Sequence, residues 1–227
     1  MTLGHPRLHL GETSSTNDRA RTLATAGAPH GTLVTARAQS AGRGRQGRSW
    51  SAPPGHALLM SLVLRGPHPL LPLAAAVGVC EAVGPETRIK WPNDALLDGR
   101  KLAGILAEGR PQEDWAVLGI GVNVAVRIED LPAELHERAA TLGRSPADVE
   151  PFLAELLASL ERALALSTTD LLEAWRARDA LQGQTISWTG GTGTAAGIDG
   201  EGRLVVELPG GGRTALDAGE VHLRRYS

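Results

Sequence analysis

The sequence predicts an α+β protein with a larger mixed domain followed by a small all-β domain. Two observations lead to this prediction. The first 180 residues mix strand-like apolar runs with helical patterns, in which apolar residues recur three and four positions apart. After Gly183 the chain becomes a series of short strand-like runs separated by glycine-rich turns, which is typical of a small β-barrel. We therefore expect a larger mixed domain over residues 1–180 and a small β-barrel domain over residues 181–227.

The composition is that of a globular protein, since 42% of its 227 residues are hydrophobic and 21% are charged. The net charge of −2 argues against broad, non-specific nucleic-acid binding. The single cysteine, Cys80, lies in an apolar run and cannot form an internal disulfide, which favours a cytoplasmic location. We see no signal peptide at the first residues and no apolar run long enough to cross a membrane.

The first elements are a strand at residues 8–10, a helix over residues 17–26 and a second strand over residues 32–39. The helix follows the polar run Glu12-Thr13-Ser14-Ser15-Thr16-Asn17-Asp18. One hydroxyl group is enough to cap a helix. The other polar side chains of this run remain available for a ligand, so a cap alone and a cap combined with a ligand site are both open here.

A glycine- and arginine-rich loop, GRGRQGRSW at residues 42–50, follows the second strand. Its glycines match the spacing G-x-G-x-x-G, but Pro53 and Pro54 exclude the helix that a dinucleotide site requires after them. Glycine lets backbone N–H groups approach phosphate oxygens, and arginine pairs with those oxygens, so the loop predicts an anion site. Trp50 at its end is placed to stack on a purine. A solvated, disordered basic loop is the alternative.

The stretch KWPNDALLDGRKLAGIL at residues 90–106 contains both lysines of a chain that has 23 Lys and Arg residues in total. Asp98-Gly99 is a two-residue hairpin signal between apolar runs. A hairpin with Lys90 on one arm and Lys101 on the other places both ammonium groups near one pocket. Lysine supplies a compact point charge that arginine does not. Chance placement of two surface lysines is the alternative.

A later strand over residues 115–126 contains GIGVNV at residues 119–124. Glycines at alternate positions leave one face of the sheet without side chains, so a ligand can lie against the backbone there. Asn123 shares that face because side chains alternate along a strand. A barrel-type bend is the alternative explanation of the two glycines.

Apolar periodicity predicts the remaining elements. A buried strand is expected over residues 57–65 and an apolar helix over residues 70–83. After Pro132, helices are expected over residues 133–140, 146–166 and 169–180. The short strands of the C-terminal domain are expected over residues 185–189, 193–198, 203–208, 213–215 and 220–224.

The motifs at residues 42–50, 90–106 and 119–124 together resemble those of the biotin–protein ligases, the family of the biotin–[acetyl-CoA-carboxylase] ligases. The similarity covers essentially the whole chain, including the Ser-Thr-Asn segment at the first helix and the Gly-Glu-Val near the end. It implies a mixed β-sheet flanked by helices, as in class II aminoacyl-tRNA synthetases and biotin–lipoate ligases, with a Src-homology-type barrel. Some members carry an N-terminal DNA-binding domain. Here the catalytic domain is expected to begin close to Met1, so we expect no DNA partner.

The resemblance implies ATP-dependent ligation of biotin to a lysine of the biotin carboxyl carrier protein of acetyl-CoA carboxylase or a related carboxylase. The reaction passes through biotinyl-5′-AMP, and Mg²⁺ is expected on the ATP phosphates, with no acidic cluster to identify its ligands. A homodimer is expected to be possible, and no membrane partner is expected. A lipoate–protein ligase of the same fold and an arginine-loop nucleic-acid-binding module are the alternatives.

The resemblance also implies roles for individual residues. Lys101 and Arg45 are expected to be catalytic, since they would stabilise charge at the biotin carboxylate and the α-phosphate. The expected biotin-binding residues are Ser15, Thr16, Asn17, Gln39, Arg43, Gly44, Arg45, Lys101 and Gly104. The residues expected to bind ATP or the adenylate are Arg43, Gly44, Arg45, Trp50, Lys101 and Asn123. The motif residues whose roles stay open are Lys90, Trp91, Asn93 and Asp94.

Overall fold

The computed structural model describes residues 2–110, 113–217 and 221–223. Within them, the larger sheet consists of strands β1 (Arg7–Thr13), β2 (Leu33–Gln39), β3 (Ala57–Arg65), β4 (Arg88–Lys90), β5 (Asp94–Leu97), β6 (Arg100–Arg110) and β7 (Trp115–Asn123). Their order in space is β1-β2-β3-β7-β6-β5-β4. β1 and β2 are parallel, and the other neighbours are antiparallel. The predicted mixed sheet is confirmed.

The helices α1 (Thr16–Thr25), α2 (Leu71–Val83), α3 (Val149–Leu164) and α4 (Thr168–Arg176) cover both faces of this sheet. Side chains alternate between the faces of a strand. On β3, Val63 accordingly packs in the cluster that contains Ala20 of α1. Its neighbours Leu62 and Leu64 instead belong to the main core, which also contains residues of α2, α3 and α4. None of the described helices combines the length and the apolarity needed to span a membrane.

Residues 88–110 form a three-stranded meander, which corrects the predicted single hairpin with one lysine on each arm. Lys90 lies on β4 and pairs with Asp94 of β5, while Lys101 lies on β6 and pairs with Leu96. The predicted turn between β5 and β6 is confirmed, because Asp98 has a φ of 51° and the following glycine has a φ of 72°. Both central residues of a type I′ turn require positive φ.

The predicted helix over residues 133–140 is wrong, since only Ala133–Leu135 forms a short 3₁₀ turn. The reason is a competing pairing with β6. The backbone N–H of Lys101 donates to the carbonyl of Arg138 at 2.7 Å, and the N–H of Ala140 donates to the carbonyl of Lys101 at 2.8 Å. The segment therefore lies extended against β6 and fixes the backbone of Lys101.

A second, antiparallel sheet follows in the described C-terminal residues. Its strands are β8 (Thr185–Trp188), β9 (Gly191–Ile198), β10 (Leu204–Glu207), β11 (Arg213–Leu216) and β12 (His222–Leu223). They are ordered β11-β10-β9-β8-β12. The ends of the predicted strand 220–224 lie outside the described residues. The indole Nε1 of Trp91 donates to the carbonyl of Gly202 at 3.1 Å, so a turn of this sheet contacts the stretch 90–106 that contains both lysines. The boundary after residue 180 stays a prediction.

Candidate active site

A cavity opens on the face of the large sheet that α1 covers. Strands β3, β6 and β7 and the start of α1 form its floor. The loop 42–50, the end of β4 with the turn that follows it, and the first residues of β6 form its rim. The sequence-predicted residues on its wall are Ser15, Thr16, Asn17, Gln39, Arg43, Gly44, Arg45, Trp50, Lys90, Trp91, Asn93, Asp94, Lys101 and Gly104. Segments that are far apart in the sequence thus meet around one cavity.

Asn123 is the predicted site residue that does not line this cavity. It is 5% exposed, and its Nδ2 donates to the carbonyl of Ala140 at 2.9 Å. Its own carbonyl accepts from the N–H of Leu142 at 2.9 Å. These contacts hold the segment that pairs with Lys101. A direct contact of Asn123 with a nucleotide stays a prediction.

Lys101 projects into the cavity and forms an ion pair with Asp94, with 2.7 Å between Nζ and Oδ1. The same Nζ lies 5.8 Å from the ring centroid of Trp50. The ion pair and the aromatic ring hold the ammonium group over the floor. About a third of the Lys101 side chain remains exposed, so the ammonium group can exchange a protein carboxylate for an anionic ligand.

Two further cations of the rim are desolvated. Burial lowers the pKa of Lys90, and the nearby Asp94 carboxylate opposes this shift, while Lys101 adds to it. Burial also lowers the pKa of Arg45, again against the effect of Asp94. One carboxylate thus stands close to three cationic groups, and a second anion would stabilise their charged forms.

Trp91 and Asn93 hold the rim in place. Asn93 Nδ2 donates to the carbonyl of Ile105 at 2.7 Å, and the N–H of Ile105 donates to the Asn93 carbonyl at 3.0 Å. Its Oδ1 also accepts from Arg45 at 3.4 Å. Trp91 is 2% exposed and bonded to the second sheet. The described contacts of both residues are structural, which agrees with a supporting role.

The floor consists of buried, neutral polar groups at the start of α1. Gln39 Oε1 accepts from the backbone N–H of Thr16 at 2.7 Å and contacts its hydroxyl at 3.0 Å. Gln39 therefore caps α1 in place of a hydroxyl group of the polar run that precedes the helix. Ser15 is 2% exposed, its side chain makes no capping bond, and it lines the cavity.

The two glycines of β7 do not leave a bare patch, which corrects the expectation of a free face. A Cβ atom at Gly119 would lie 2.1 Å from Asn17 Oδ1, and one at Gly121 would lie 2.6 Å from Trp50 Cε2. The glycines therefore let these two side chains lie against the strand. Gly104 has the same effect, because a Cβ there would approach Trp50 to 3.0 Å.

Trp50 lies flat over these glycines inside the cavity. Its Nε1 is buried and has no hydrogen-bond partner in the described part of the chain. An unpaired buried N–H is costly, so a ligand acceptor at this position is favoured. The stacking of Trp50 on adenine stays a prediction.

Arg43 anchors the loop 42–50 to the body of the protein. Its guanidinium pairs with Asp18 of α1 at 2.5 Å and with Glu108 of β6 at 3.4 Å. Arg21 also contacts Glu108, at 2.9 Å. Within the loop, Arg43 and Ser49 form a β-bridge, so the loop has a defined small hairpin structure rather than a solvated coil.

Sequence reasoning missed several residues of this site. Ser61 lies beneath the floor and contacts both Thr16 and Asn17. It is the hydroxyl residue in the otherwise apolar run of β3, and that isolation was the available signal. Glu108, which lies two residues after the stretch 90–106, gave no signal of its own. Arg48 and Val221 also line the cavity.

The electrostatics of the cavity favour anions. In the described residues, one carboxylate, that of Asp94, stands on a wall that also carries the cations Arg43, Arg45, Arg48, Lys90 and Lys101. A neutral polar floor lies beside them. Such a cavity can hold a ligand that has a neutral polar head and an anionic end, together with a second anion.

Family comparisons agree with this arrangement. Residues 11–124 match the biotin/lipoate A/B protein ligase family, and residues 183–224 match the biotin protein ligase C-terminal domain. A biotin–[acetyl-CoA-carboxylase] ligase of Paracoccus denitrificans is 38% identical over 93% of this chain and 98% of its own length.

The chain belongs to the biotin protein ligase family.

A solved biotin protein ligase structure from Aquifex aeolicus, in complex with biotin and ATP, superposes with a TM-score of 0.83 at 28% identity. The match covers 98% of this chain and all of that one. The bifunctional ligase/repressor BirA of Bacillus subtilis is 45% identical over 58% of this chain. That alignment spans 44% of the Bacillus protein's own length. The fold and both matched domains of this biotin protein ligase family member are therefore shared with its relatives.

Proposed function

We propose that this protein joins biotin to a lysine of a carboxylase carrier domain in two steps, with ATP as the second substrate. The first step gives biotinyl-5′-AMP and pyrophosphate, and the second transfers biotin to the carrier lysine and releases AMP. The observation that carries this proposal is the cavity, in which a neutral polar floor lies beside five cationic side chains. Family membership supports the choice of biotin.

In the first step, a carboxylate oxygen of biotin attacks the α-phosphorus of ATP, and the bond to pyrophosphate breaks. Two anions must approach each other, so the step needs cations at the reacting atoms. Lys101 would bridge the carboxylate and the α-phosphate, exchanging its ion pair with Asp94 for theirs. Arg43 and Arg45 would close over the phosphates, and Trp50 over the adenine.

In the second step, the carrier lysine attacks the acyl carbon of the mixed anhydride and AMP leaves with the electron pair. The amine must lose a proton in this step. Lys101 and Arg45 would then stabilise the charge on the departing phosphate. The floor residues Ser15, Thr16 and Gln39 would hold the ureido ring of biotin in place, and Gly104 would let Trp50 lie close above the strand.

Mg²⁺ belongs to this proposal as part of the substrate. In the described ranges, no three His, Cys, Asp or Glu side chains come together in a way that would hold a metal ion. Asp94 is the carboxylate of the described cavity wall. Mg²⁺ in such sites is bound by substrate phosphates and one or two carboxylates, so an ion carried in by ATP fits this wall.

The cellular setting is also part of the proposal. We place the protein in the cytoplasm, where carboxylases and their carrier proteins meet ATP. β1 lies at an edge of the large sheet, with Leu8 39% exposed, and two copies could pair along this edge. Analytical ultracentrifugation with and without biotin and ATP tests this dimer.

The deciding experiment incubates the protein with ATP, Mg²⁺, biotin and a biotin carboxyl carrier domain. Mass spectrometry of the carrier should show one added biotinyl group. A carrier in which the acceptor lysine is arginine is the control, and lipoate replaces biotin in a parallel reaction. No mass increase with biotin, or a larger one with lipoate, would contradict the proposal.

A further inference from the structure

A chain of polar side chains runs beneath the cavity from Gln39 to Glu108. It passes through Thr16, Ser61 and Asn17, which are at most 4% exposed. The successive contacts measure 3.0, 2.8, 2.6 and 2.8 Å. Each is within hydrogen-bond distance. The chain therefore connects two residues of the floor to the ion-paired carboxylate of Glu108, which has no role in the proposed reaction.

The two ends of this chain have fixed polarity. At one end, the backbone N–H of Thr16 can only donate, so the atom that Gln39 presents to it at 2.7 Å is the oxygen Oε1. At the other end, the Glu108 carboxylate is ion-paired with Arg21 at 2.9 Å and can only accept. Asn17 must therefore present Nδ2 to Glu108, and Nδ2 also donates to the carbonyl of Leu106 at 3.4 Å.

The middle of the chain then follows from counting hydrogens. Asn17 Oδ1 faces Ser61 and can only accept, so Ser61 donates its one hydroxyl hydrogen to it. Ser61 can accept in turn from the hydroxyl of Thr16. Three oxygen–oxygen contacts thus share two hydroxyl hydrogens. Thr16 can give its hydrogen to Gln39 or to Ser61, and when it donates to Ser61 the contact between Thr16 Oγ1 and Gln39 Oε1, at the cavity end, has none.

In that second arrangement, two acceptor oxygens 3.0 Å apart have no hydrogen between them, which favours a donor supplied by the ligand. We propose that Ser61 and Glu108 are positioning residues that make this end of the cavity an acceptor of ligand N–H groups. The proposal rests on biotin as the substrate. In it, the ureido N–H groups are recognised by acceptor oxygens whose roles the hydrogen-bonded chain beneath the cavity fixes. Neither residue touches the ligand.

The neighbouring strand is shaped to allow this chain. A Cβ atom at Gly119 would lie 2.1 Å from Asn17 Oδ1 and 3.0 Å from its Nδ2. Asn17 could not occupy its place between Ser61 and Glu108 beside any larger residue. Asn17 uses both its acceptor and its donors within the chain, so its described contacts are those of a link in the chain.

The test uses cyclic carbamate analogues of biotin, in each of which one ureido N–H is replaced by oxygen. Biotin-dependent pyrophosphate exchange gives kcat and KM for each compound. The wild-type protein should prefer biotin to at least one analogue by on the order of tenfold to a hundredfold in kcat/KM, because the analogue sets an oxygen against the two acceptors.

Glu108→Gln removes the constraint on Asn17, since a glutamine can present either an oxygen or an N–H group. The preference for biotin should then fall to within about threefold, through a higher KM for biotin at an unchanged kcat. Ser61→Ala should give the same loss by interrupting the chain. If Ser61→Ala fails to fold, as judged by its melting curve, Glu108→Gln alone decides.

Asp18→Asn is the matched control. Asp18 shares Arg43 with Glu108 but does not touch the chain, so the preference ratio should stay at its wild-type value. A wild-type ratio in Glu108→Gln, or a lower kcat with KM unchanged, overturns the inference while biotin ligation stands. If the wild-type protein shows no biotin-dependent exchange, the proposed function itself fails, and this inference fails with it.

Discussion

The floor and the rim of the cavity are built in opposite ways. The floor side chains Thr16 and Ser61 are 4% and 0% exposed, neutral, and bonded to other parts of the protein. The rim side chains Arg43 and Lys101 are charged, 39% and 36% exposed, and paired with carboxylates of the protein itself. The floor therefore exists before a ligand arrives, whereas the rim must exchange its partners for those of the substrates.

This difference separates binding from chemistry. Exposed ion pairs contribute roughly 0–1 kcal/mol each, so phosphates can displace Asp94 and Asp18 from the rim at little cost. A buried group that loses its partner costs about 1–3 kcal/mol, so the floor tolerates no such exchange. We expect substitutions in the floor to alter biotin affinity and substitutions in the rim to alter the rate of adenylation.

The largest expected effect is that of Lys101→Arg. The charge is kept, but the planar guanidinium directs its donors elsewhere and cannot bridge the carboxylate and the α-phosphate. Adenylate formation should fall by tenfold to thousandfold, roughly 1.4–4 kcal/mol of transition-state stabilisation. Transfer from supplied biotinyl-AMP to the carrier should suffer less.

Biotin-dependent pyrophosphate exchange measures this effect, and a melting curve serves as the control for folding. The melting temperature should change little, because Lys101 lines an open cavity. Near-equal exchange in an intact variant would remove Lys101 from the mechanism and leave Arg45 as the principal cation.

Arg45→Gly should loosen the hold on the adenylate. Losing a charge-assisted contact of about 1.5–3 kcal/mol should let roughly ten to a hundred times more biotinyl-AMP escape. The escaped adenylate would acylate exposed lysines of other proteins. Labelling of an unrelated protein, mixed with the variant, biotin and ATP, measures the escape. Labelling at the wild-type level would argue against Arg45 as a clamp.

The third effect is on the stability of the fold, and it measures the cost of burying the charge of Lys90. Burial lowers the pKa of Lys90, so its charged form destabilises the folded state relative to the unfolded chain. Lys90→Met should therefore stabilise the substrate-free protein. A gain on the order of 1 kcal/mol would raise the melting temperature by roughly 2–4 °C.

The sign of this effect fixes its pH dependence. The folded protein releases the Lys90 proton at a lower pH than the unfolded chain. As pH rises through the pKa of the folded state, the free energy of unfolding of the wild type therefore increases relative to that of the variant. Urea unfolding of both proteins between about pH 7 and 10 measures the difference. Burial raises the pKa of the Cys80 thiol, and the contribution of this thiol is common to both proteins. A constant difference would mean that Lys90 is not desolvated.

The smallest effect is on the motion of the loop 42–50. We expect its amides to exchange hydrogen readily without ligand, because only a few backbone hydrogen bonds close its small hairpin and its three arginines repel one another. Biotin with ATP should protect them. Asp18→Asn removes one anchor of Arg43 and should raise exchange further in the free protein alone. Equal protection with and without ligands would contradict a closing loop.

The fold was largely predictable from the sequence because apolar periodicity reports burial. The strand Ala57–Arg65 and the helix Leu71–Val83 follow their patterns closely. The helix expected over residues 133–140 fails because its backbone pairs with Lys101, a contact between distant segments that no local pattern contains. The single hairpin fails for a local reason, since residues 91–93 form a tight turn that pairs β4 with β5 before the chain reaches the Asp98-Gly99 turn.

The site was predictable where motifs carry unusual residues and not where it depends on packing. Two lysines among many arginines pointed to Lys90 and Lys101. The glycines of β7 were noticed, but the side chains that cover them, Asn17 and Trp50, come from elsewhere in the chain. Ser61 is one hydroxyl in an apolar strand, and its partners become visible only when α1 packs on β3.

The most direct test of the division between floor and rim compares Thr16→Val with Lys101→Arg in biotin-dependent pyrophosphate exchange. Thr16→Val keeps the shape of the side chain and removes one acceptor, so KM for biotin should rise about tenfold or more with the maximal rate preserved. Lys101→Arg should lower the maximal rate with KM nearly unchanged. If both variants change the same constant, floor and rim do not have separate roles.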